Sequence, residues 1–362
     1  MILLHAAPID WKQLAGPNAS VPGLVAAQNA LREVSAALLA TVPGVPPPCT
    51  FPVFGVESVR TSGRLALPSP FDKPDLVIFH STYIPLHATI AKWLKSESIP
   101  YLICPRGGMT RYAQASKRWK KAAGNALFFN RMVRGARALH CLTSGEAEAS
   151  CDWRKPALVV GNGVELPAPA RLRAVHQPLR AAFMGRLHVD HKGLDLLVDA
   201  CGLIRNAWVS AGARLEIHGP DCGGSAAELR KRIARNGAGE VVDLKGPVLD
   251  RDKARFFNSI DVFLHPSRTE GHPIAVLEAL AHGVPCLLTP NTNMAEEVVA
   301  AEAGWVVQAT REGVARGLLK LLDLSPSELE TAGRNARCLA EDRYTWPMIA
   351  ERSIDAYRRF AA

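Results

Sequence analysis

Short apolar runs alternate with amphipathic segments along most of the chain. The clearest runs are DLVIFH at residues 75–80 and DVFLHP at residues 261–266. Their length and continuous apolar character predict strands that are buried on both faces of a sheet. The segments between the runs carry apolar residues three and four positions apart, which predicts helices. Strands that alternate with helices indicate an α/β fold with parallel sheets covered on both faces.

The alternation forms two strand–helix arrays. Strands are predicted at residues 2–5, 75–80, 101–105 and 138–143 in the first array, and at 179–185, 213–219, 241–246, 261–266, 284–289 and 304–308 in the second. A helix is predicted over residues 21–40 and a basic helix over 116–134. The Pro-rich residues 42–55 are expected to form a loop or an edge segment.

A Pro-rich segment poor in pattern, residues 165–178, separates the two arrays. We therefore predict an N-terminal Rossmann-like domain over residues 1–168 and a second one over residues 178–342. Residues 343–362 are predicted to form a helix that crosses back to the first domain. Two such domains would face each other across a central cleft, with ligands bound at the carboxyl ends of the strands.

Composition narrows the class of protein. The 362 residues are 48% hydrophobic and 21% charged, which is typical of a globular chain and excludes a disordered one. No apolar run approaches 18 residues, and the start MILLHAAPID lacks a basic segment, so neither a membrane span nor a secretory leader is expected. Eight cysteines without a CxxC pair favour reduced thiols and a cytoplasmic location.

The net charge of +9 comes from one segment. Residues 98–145 carry nine basic side chains and no acidic one, whereas the rest of the chain carries equal numbers of both signs. Two interpretations are open: a helix with its apolar stripe in the core and a solvated cationic face, or a surface that contacts anionic lipid headgroups. Nucleic acid is not an expected partner, because the segment belongs to no recognised nucleic-acid module.

Two carboxylates follow the predicted strand at residues 261–266. Glu270 precedes a predicted helix and Glu278 lies inside it, with Gly271 and the first helical amides between them. A carboxylate pair on either side of an anion-binding helix tip suits a ligand with hydroxyls on both sides of a phosphate, such as a nucleotide sugar. The alternative is that Glu270 stabilises its own helix dipole and Glu278 is merely solvated.

Two cations follow the predicted strand at residues 179–185. Arg186 and Lys192 could clamp a diphosphate, although ordinary surface charge is the alternative. Together with the two glutamates they predict a nucleoside-diphosphate site that needs no metal. The Asp250-Arg251-Asp252 triplet has the DxD pattern of a metal site, but its place before a short helix favours helix capping. The chain has no Walker A motif and no GxGxxG fingerprint.

These motifs resemble those of the retaining GT-B glycosyltransferases, specifically glycosyltransferase family 4. The resemblance rests on Glu270-x7-Glu278 in EGHPIAVLE, on Gly185-Arg186 followed by Lys192-Gly193, and on PSRTEG, NGV and PRGGM. It implies GT-B architecture, a nucleotide-sugar donor held mainly by the second domain, and transfer with retained anomeric configuration.

The resemblance also implies roles for individual residues. The residues expected at the reacting centre are Glu270, His80, Arg186 and Lys192. Those expected to bind the donor are Glu278, Gly271, His272, Pro273, Ile274, Gly246, Val248 and Gly16. Those expected at the acceptor or at the basic surface are Arg106, Lys117, Lys120 and Lys121.

The expected function is that of a hexosyltransferase. It would transfer a sugar from a nucleoside-diphosphate sugar to a hydroxyl of a glycan or lipid-linked saccharide, in polysaccharide or lipopolysaccharide biosynthesis, without a metal. It would be cytoplasmic and peripheral at the inner face of the membrane if the basic segment binds lipid. A nucleotide-sugar 2-epimerase and a non-catalytic nucleotide-sugar-binding subunit are the alternatives.

Overall fold

The computed structural model describes residues 1–12, 16–115, 118–168 and 175–361, with the side chains of residues 118 and 120 left out. The chain divides into unit 1, Met1–Gly163 with Trp346–Ala362, and unit 2, Val164–Thr345. The division lies before the Pro-rich segment at 165–178, in which we expected the boundary. The reason is Val164, whose amide donates to the Tyr344 carbonyl at 2.8 Å and whose side chain is buried in the core of unit 2.

Unit 1 contains a parallel sheet, with seven strands in the described part of the chain. They are β1 (Ile2–Ala7), β2 (Ser35–Ala40), β3 (Val53–Phe54), β4 (Leu76–His80), β5 (Tyr101–Cys104), β6 (Ala138–Cys141) and β7 (Ala157–Val159). Their order is β3-β2-β1-β4-β5-β6-β7. Because the order reverses between β1 and β4, the carboxyl ends of these two strands form the switch point at which such sheets bind ligands.

The helices of this part of unit 1 cover both faces of the sheet. They are α1 (Gly16–Asn29), α2 (Pro85–Ser96), α3 (Arg111–Ala115), α4 (Arg118–Gly124), α5 (Asn130–Gly135) and α6 (Ser144–Ala149). Successive residues of a strand pack into hydrophobic cores on opposite faces of the sheet. Leu38 and Ile78 lie in one core, and Leu39 and Phe79 lie in the other. This alternation is why the strands read as continuous apolar runs.

Two predictions for unit 1 are wrong in detail. The helix expected over residues 21–40 ends at Asn29, and Ser35–Ala40 is strand β2. Ala and Leu favour helices locally, but pairing with β1 overrides that preference. The Asn29 side chain fixes the turn, since it accepts from the Ala36 amide at 3.1 Å and donates to the Ala36 carbonyl at 2.7 Å. The basic helix expected over 116–134 is interrupted by a π-helical segment, Asn125–Phe129.

Unit 2 contains a second parallel sheet, with six strands among the described residues. They are β8 (Arg180–Met184), β9 (Arg214–His218), β10 (Val242–Lys245), β11 (Val262–His265), β12 (Cys286–Leu288) and β13 (Gly304–Val306). Their order is β10-β9-β8-β11-β12-β13, so the switch point lies between β8 and β11. The helices are α7 (Leu194–Ser210), α8 (Ser225–Arg235), α9 (Lys253–Asn258), α10 (Ile274–Ala281), α11 (Ala295–Ala300), α12 (Arg311–Leu322) and α13 (Pro326–Arg343).

The last helix, α14 (Trp346–Arg358), packs against α1 and belongs to unit 1. The Trp346 ring lies so close to Gly23 and Gly163 that a Cβ on either glycine would come within 2.4 and 2.3 Å of it. Two buried polar contacts add to this packing: Ser353 accepts from Gln28 at 2.8 Å, and the Tyr357 hydroxyl bonds the His140 ring at 2.9 Å.

The described part of the chain contains no helix with the length and apolar character that a bilayer crossing requires. All eight cysteines lie among the described residues and are free thiols.

Candidate functional site

The loops that follow β8 and β11 meet at the switch point of unit 2. Gly193 makes this possible, because its φ of 63° suits glycine and a Cβ there would lie 2.0 Å from the Pro266 carbonyl oxygen. Lys192, one residue earlier, is thereby held beside the loop that carries Glu270. The structure therefore brings together two residues that the sequence places 78 positions apart.

Glu270 is the centre of a hydrogen-bond cluster. Its Oε1 accepts from Lys192 Nζ at 2.5 Å, from the Ser267 hydroxyl at 2.9 Å and from His265 Nε2 at 3.1 Å. The carboxylate and the ammonium are both largely buried, with 10% and 13% of their side chains exposed. The Asn293 side-chain amide donates to the Glu270 carbonyl at 2.6 Å, which fixes the backbone as well.

The electrostatics keep Glu270 ionised. Burial alone would raise its pKa, but the Lys192 charge and the His265 hydrogen bond hold the pKa well below its usual range. Burial lowers the pKa of His265, so this ring is neutral and donates from Nε2. With Oε1 engaged by three donors, Oε2 has no hydrogen-bond partner among the described residues. Oε2 can therefore accept a hydrogen bond from a ligand hydroxyl.

A second, half-buried ion pair lies at Glu278. Lys253 Nζ is 2.6 Å from Glu278 Oε1 and 2.8 Å from Asp250 Oδ1. Burial raises the pKa of Glu278 and the Lys253 charge opposes that rise. The sequence analysis missed Lys253, because LDRDKARFF was interpreted only as a capping segment. Side-chain capping is wrong here: Asp252 occupies the N-cap position of α9 without a capping hydrogen bond, and it pairs with Arg251 at 3.6 Å.

The two predicted cations, Arg186 and Lys192, share one electrostatic environment around His191. Burial lowers the pKa of His191, and the positive charges of Lys192 and Arg186 lower it further. The negative charge of Glu270 raises the pKa and so opposes this shift. The exposed Arg186 side chain forms no ion pair within the described ranges, so it can bind an anion.

The predicted donor-binding residues at the start of α10 offer only some polar groups to a ligand. Pro273 is the N-cap residue and has no amide hydrogen to donate, whereas the first-turn amides of Ile274 and Ala275 have no intrahelical acceptor. His272 is buried, with its ring 5.4 Å from that of Tyr344, and the Gly271 carbonyl accepts from Asn293 at 3.2 Å.

Gly246 and Val248 follow β10, which is two strands away from β8 in the sheet. Gly246 is exposed, and a Cβ added to it would meet nothing within 4 Å. Val248 is half-buried against the core. The segment is open enough for a flat ring to approach its backbone.

The residues predicted in unit 1 have a different environment. His80 ends β4 and is fully buried, with Nε2 2.9 Å from His5 Nδ1 and Nδ1 3.3 Å from Arg106 Nε. Both ring nitrogens are engaged, so His80 offers none to a donor sugar in this conformation. Gly16 is exposed at the start of α1. His5 and its contact with His80 had no signal in the sequence beyond a histidine inside an apolar strand.

The basic segment exposes apolar side chains. Trp119 is 87% exposed, Leu127 70%, Phe128 54% and Tyr112 51%. Of the apolar stripe in the first interpretation, Met132 is in the core, beside Phe129 and Val133, whereas Trp119 and Leu127 are not. Lys121 donates to the Ala113 carbonyl and lies 5.5 Å from the Tyr83 ring centroid. Lys117 and the side chain of Lys120 lie outside the described residues.

Within the described ranges, no three His, Cys, Asp or Glu side chains gather in a way that would hold a metal ion. The candidate site of unit 2 is thus built from carboxylates, cations and helix amides.

Comparison with known proteins identifies the family. Residues 178–324, which make up most of unit 2, match the model of the family described as glycosyl transferases group 1. Unit 2 is a group 1 glycosyltransferase domain. This confirms the family predicted from the glutamate pair and from the Arg186 and Lys192 motifs.

The similarity to curated proteins covers about half of the chain. A putative colanic acid biosynthesis glycosyltransferase, WcaL of Escherichia coli, is 28% identical over 205 residues, covering 54% of this chain and 49% of WcaL. The match thus spans about half of that relative.

The similarity to solved structures extends through both units. Sucrose-phosphate synthase of Thermosynechococcus elongatus has a TM-score of 0.76 at 16% identity and covers 99% of each chain. HepE of Anabaena, solved with UDP and glucose, has a TM-score of 0.73 at 16% identity, covering 99% of this chain and 100% of HepE. These neighbours show that the glycosyltransferase domain is part of a GT-B fold, as predicted.

Proposed function

We propose that this protein is a retaining, metal-independent hexosyltransferase that uses a nucleoside-diphosphate sugar and glycosylates a hydroxyl of a glycan or lipid-linked saccharide. One observation carries the proposal: a buried, ionised Glu270 is fixed through a single oxygen beside Lys192, in a domain of the group 1 glycosyltransferase family. The relative WcaL is named as a putative glycosyltransferase of colanic acid biosynthesis, which supports a role of this kind.

The donor would be held by complementary charge. Arg186, Lys192 and the amides of Ile274 and Ala275 supply positive charge at the ends of β8 and β11, which suits a diphosphate. As the bond to the sugar breaks, negative charge grows on that diphosphate, and the same groups stabilise it without reorganising. HepE was solved with UDP, which supports a nucleotide donor for this fold.

The two glutamates would bind the two sugars of the donor. Glu270 Oε2 accepts a hydroxyl of the transferred sugar, while Oε1 stays with Lys192. Glu278 accepts the ribose hydroxyls, and Lys253 keeps it ionised in spite of its burial. Each carboxylate thus keeps its lysine partner in the protein and gains hydroxyl partners from the donor.

The basic segment would place the enzyme at an anionic membrane. Exposed Trp119, Leu127 and Phe128 belong to a segment whose sequence is rich in Lys and Arg, and this mixture of aromatic and cationic residues suits the headgroup region. A lipid-linked acceptor would then be within reach. The test is co-sedimentation with phosphatidylglycerol vesicles, which we expect at low salt and not with phosphatidylcholine vesicles. No binding to either vesicle would remove the membrane part of the proposal.

The donor part is tested by thermal shift with UDP-, GDP-, ADP- and dTDP-hexoses. We expect one nucleotide sugar to raise the midpoint temperature of thermal unfolding of the wild type. This rise should be lost in Glu270→Ala and Lys192→Ala. Glu330→Ala and Lys231→Ala, which change exposed residues of unit 2, are the matched controls and should retain it. If no nucleotide sugar stabilises the wild type, the proposal fails.

Turnover separates transfer from the alternatives. With the stabilising donor and an acceptor glycan, we expect a glycosylated acceptor, the nucleoside diphosphate and unchanged rates in EDTA. A nucleotide-sugar epimer formed without acceptor would instead show an epimerase, and binding without any conversion would show a non-catalytic subunit. Loss of transfer in EDTA would refute metal independence.

A further inference from the structure

Unit 1 has a cation at its own switch point. Arg106 follows β5, and its side chain reaches across the end of β4 to the Ser20 hydroxyl on α1. The backbone is held in an uncommon conformation, with φ of 50° at Arg106 and 80° at Gly107. Glu146 fixes this turn, because its two carboxylate oxygens accept the amides of Gly107 and Leu142.

Among the described residues, the Arg106 guanidinium forms hydrogen bonds only with neutral groups. Nη1 donates to Ser20 Oγ at 2.8 Å and reaches Asn162 Oδ1 at 3.5 Å, while Nε and Nη2 are both 3.3 Å from His80 Nδ1. A ring nitrogen has one lone pair, so Nε and Nη2 cannot both be satisfied by it. Among the described residues Arg106 forms no ion pair, and Glu146 uses both of its oxygens on backbone amides.

A buried relay explains why the histidine beside Arg106 stays neutral. His80 accepts from Arg106 at Nδ1, so its proton is on Nε2 and is donated to His5 Nδ1 at 2.9 Å. His5 then donates from Nε2 to Gln28 Oε1 at 2.8 Å, and the Gln28 amide donates to the Ser353 hydroxyl at 2.8 Å. Every member has one consistent protonation state. Burial lowers the pKa of His5 to about 3 and that of His80 well below its usual value.

The relay orients the guanidinium without neutralising it. Glu146 interacts with Arg106 only electrostatically, without an ion pair, because both of its oxygens accept backbone amides. A half-buried cation without a direct ion-pair partner is costly to keep unless a ligand supplies negative charge at the guanidinium itself. Its place at the carboxyl end of a parallel sheet is where ligands of such folds bind. The positive charge of Arg106, its spare N–H groups and its position at the sheet edge all indicate an anionic ligand.

We propose that Arg106 is the anion-binding residue of unit 1 and holds an anionic oxygen group, phosphate or carboxylate, of the acceptor. The assignment to an acceptor rests on the proposed function, whereas the anion site stands on the geometry of unit 1 alone. His80 is then a positioning residue that aims the guanidinium.

Calorimetric titrations of the full chain at low ionic strength test the site, with inorganic phosphate, pyrophosphate, glucuronate and UDP as separate probes. The variants are Arg106→Gln, Arg106→Lys, Lys192→Ala and, as a matched control, Arg134→Gln, which changes another arginine of unit 1. We expect Arg106→Gln to weaken binding of the preferred anion at least tenfold and Arg106→Lys to weaken it less. Arg134→Gln and Lys192→Ala should retain that binding event. A preference for phosphates or for glucuronate distinguishes a phosphorylated acceptor from an acidic glycan.

The result that overturns the site is an anion affinity in Arg106→Gln equal to that of the wild type, or no anion binding by the wild type. UDP affinity separates this inference from the proposed function, since Lys192→Ala should lose it and Arg106→Gln should change it less than twofold. Anion binding without UDP binding would refute the donor proposal and leave the site. If Arg106→Gln does not fold, anion affinities of the wild type and Arg106→Lys are measured at several salt concentrations. An anion affinity that does not change with salt contradicts recognition by charge.

Discussion

The Lys192–Glu270 pair makes a quantitative prediction about stability. The two groups are 2.5 Å apart and 13% and 10% exposed. At an effective dielectric constant of about 20 their Coulomb attraction is on the order of 7 kcal/mol, most of which offsets the desolvation of both charges. Removing one partner leaves the other buried and uncompensated, which typically costs about 3–5 kcal/mol.

We therefore expect Glu270→Gln and Lys192→Met each to lower the unfolding free energy of unit 2 by about 3 kcal/mol. The double variant should lose little more than either single one, since it leaves no unpaired charge. The coupling energy in the double-mutant cycle should then be about 3 kcal/mol. Urea denaturation followed by circular dichroism measures all four proteins.

A matched cycle uses the other ion-paired lysine of the site. Lys253 pairs with Glu278 and not with Glu270, so Lys253→Met and Glu270→Gln should be additive within about 0.5 kcal/mol. If the Lys192 cycle is equally additive, the pair does not form in solution and the assignment of Oε1 and Oε2 fails with it.

Three further predictions concern pH and surface chemistry. Burial lowers the pKa of His87 from 6.5 to about 3. Below pH 6.5 the His87 side chain is therefore protonated in the unfolded chain but stays neutral in the folded chain. Urea denaturation should show unit 1 losing about 2 kcal/mol through this residue between pH 7 and pH 5, and His87→Gln should not show that share. Lys253→Met removes the charge that lowers the pKa of Glu278, so the fall in UDP affinity on acidification should begin at a higher pH than in the wild type; an unchanged profile would contradict a role for ionised Glu278. Trp119→Ser should reduce binding to phosphatidylglycerol vesicles at least threefold while the melting temperature stays unchanged, because this side chain is 87% exposed; equal sedimentation would show that Trp119 does not enter the headgroup region.

The strand pattern was the most predictable part of the fold. Runs such as DLVIFH are buried on both faces, so their apolar character is continuous and hard to mistake. Ser35–Ala40 was misassigned because Ala and Leu suit either structure, and only pairing with β1 decides between them. Local sequence does not contain that pairing.

The site was predictable where charge follows a strand end. Glu270, Arg186 and Lys192 stand out because each comes after an apolar run, where parallel sheets place their ligands. Lys253 and the contact between Glu270 and His265 could not be inferred, since they depend on how separate loops pack. His80 was named because of the family resemblance, and only the structure shows that Arg106 is the residue of that cluster with donors to spare.

The attachment of α14 to unit 1 has a consequence for synthesis on the ribosome. Unit 1 lacks its last helix until all of unit 2 has been translated. Until then, Gly23 and Gly163 have no Trp346 ring to pack against, and the Gln28 amide has no Ser353 hydroxyl to donate to. Unit 2 is continuous and can complete its core first. A stop codon placed just before Trp346 should therefore spare the glycosyltransferase domain and leave the amino-terminal half of the polypeptide unfinished.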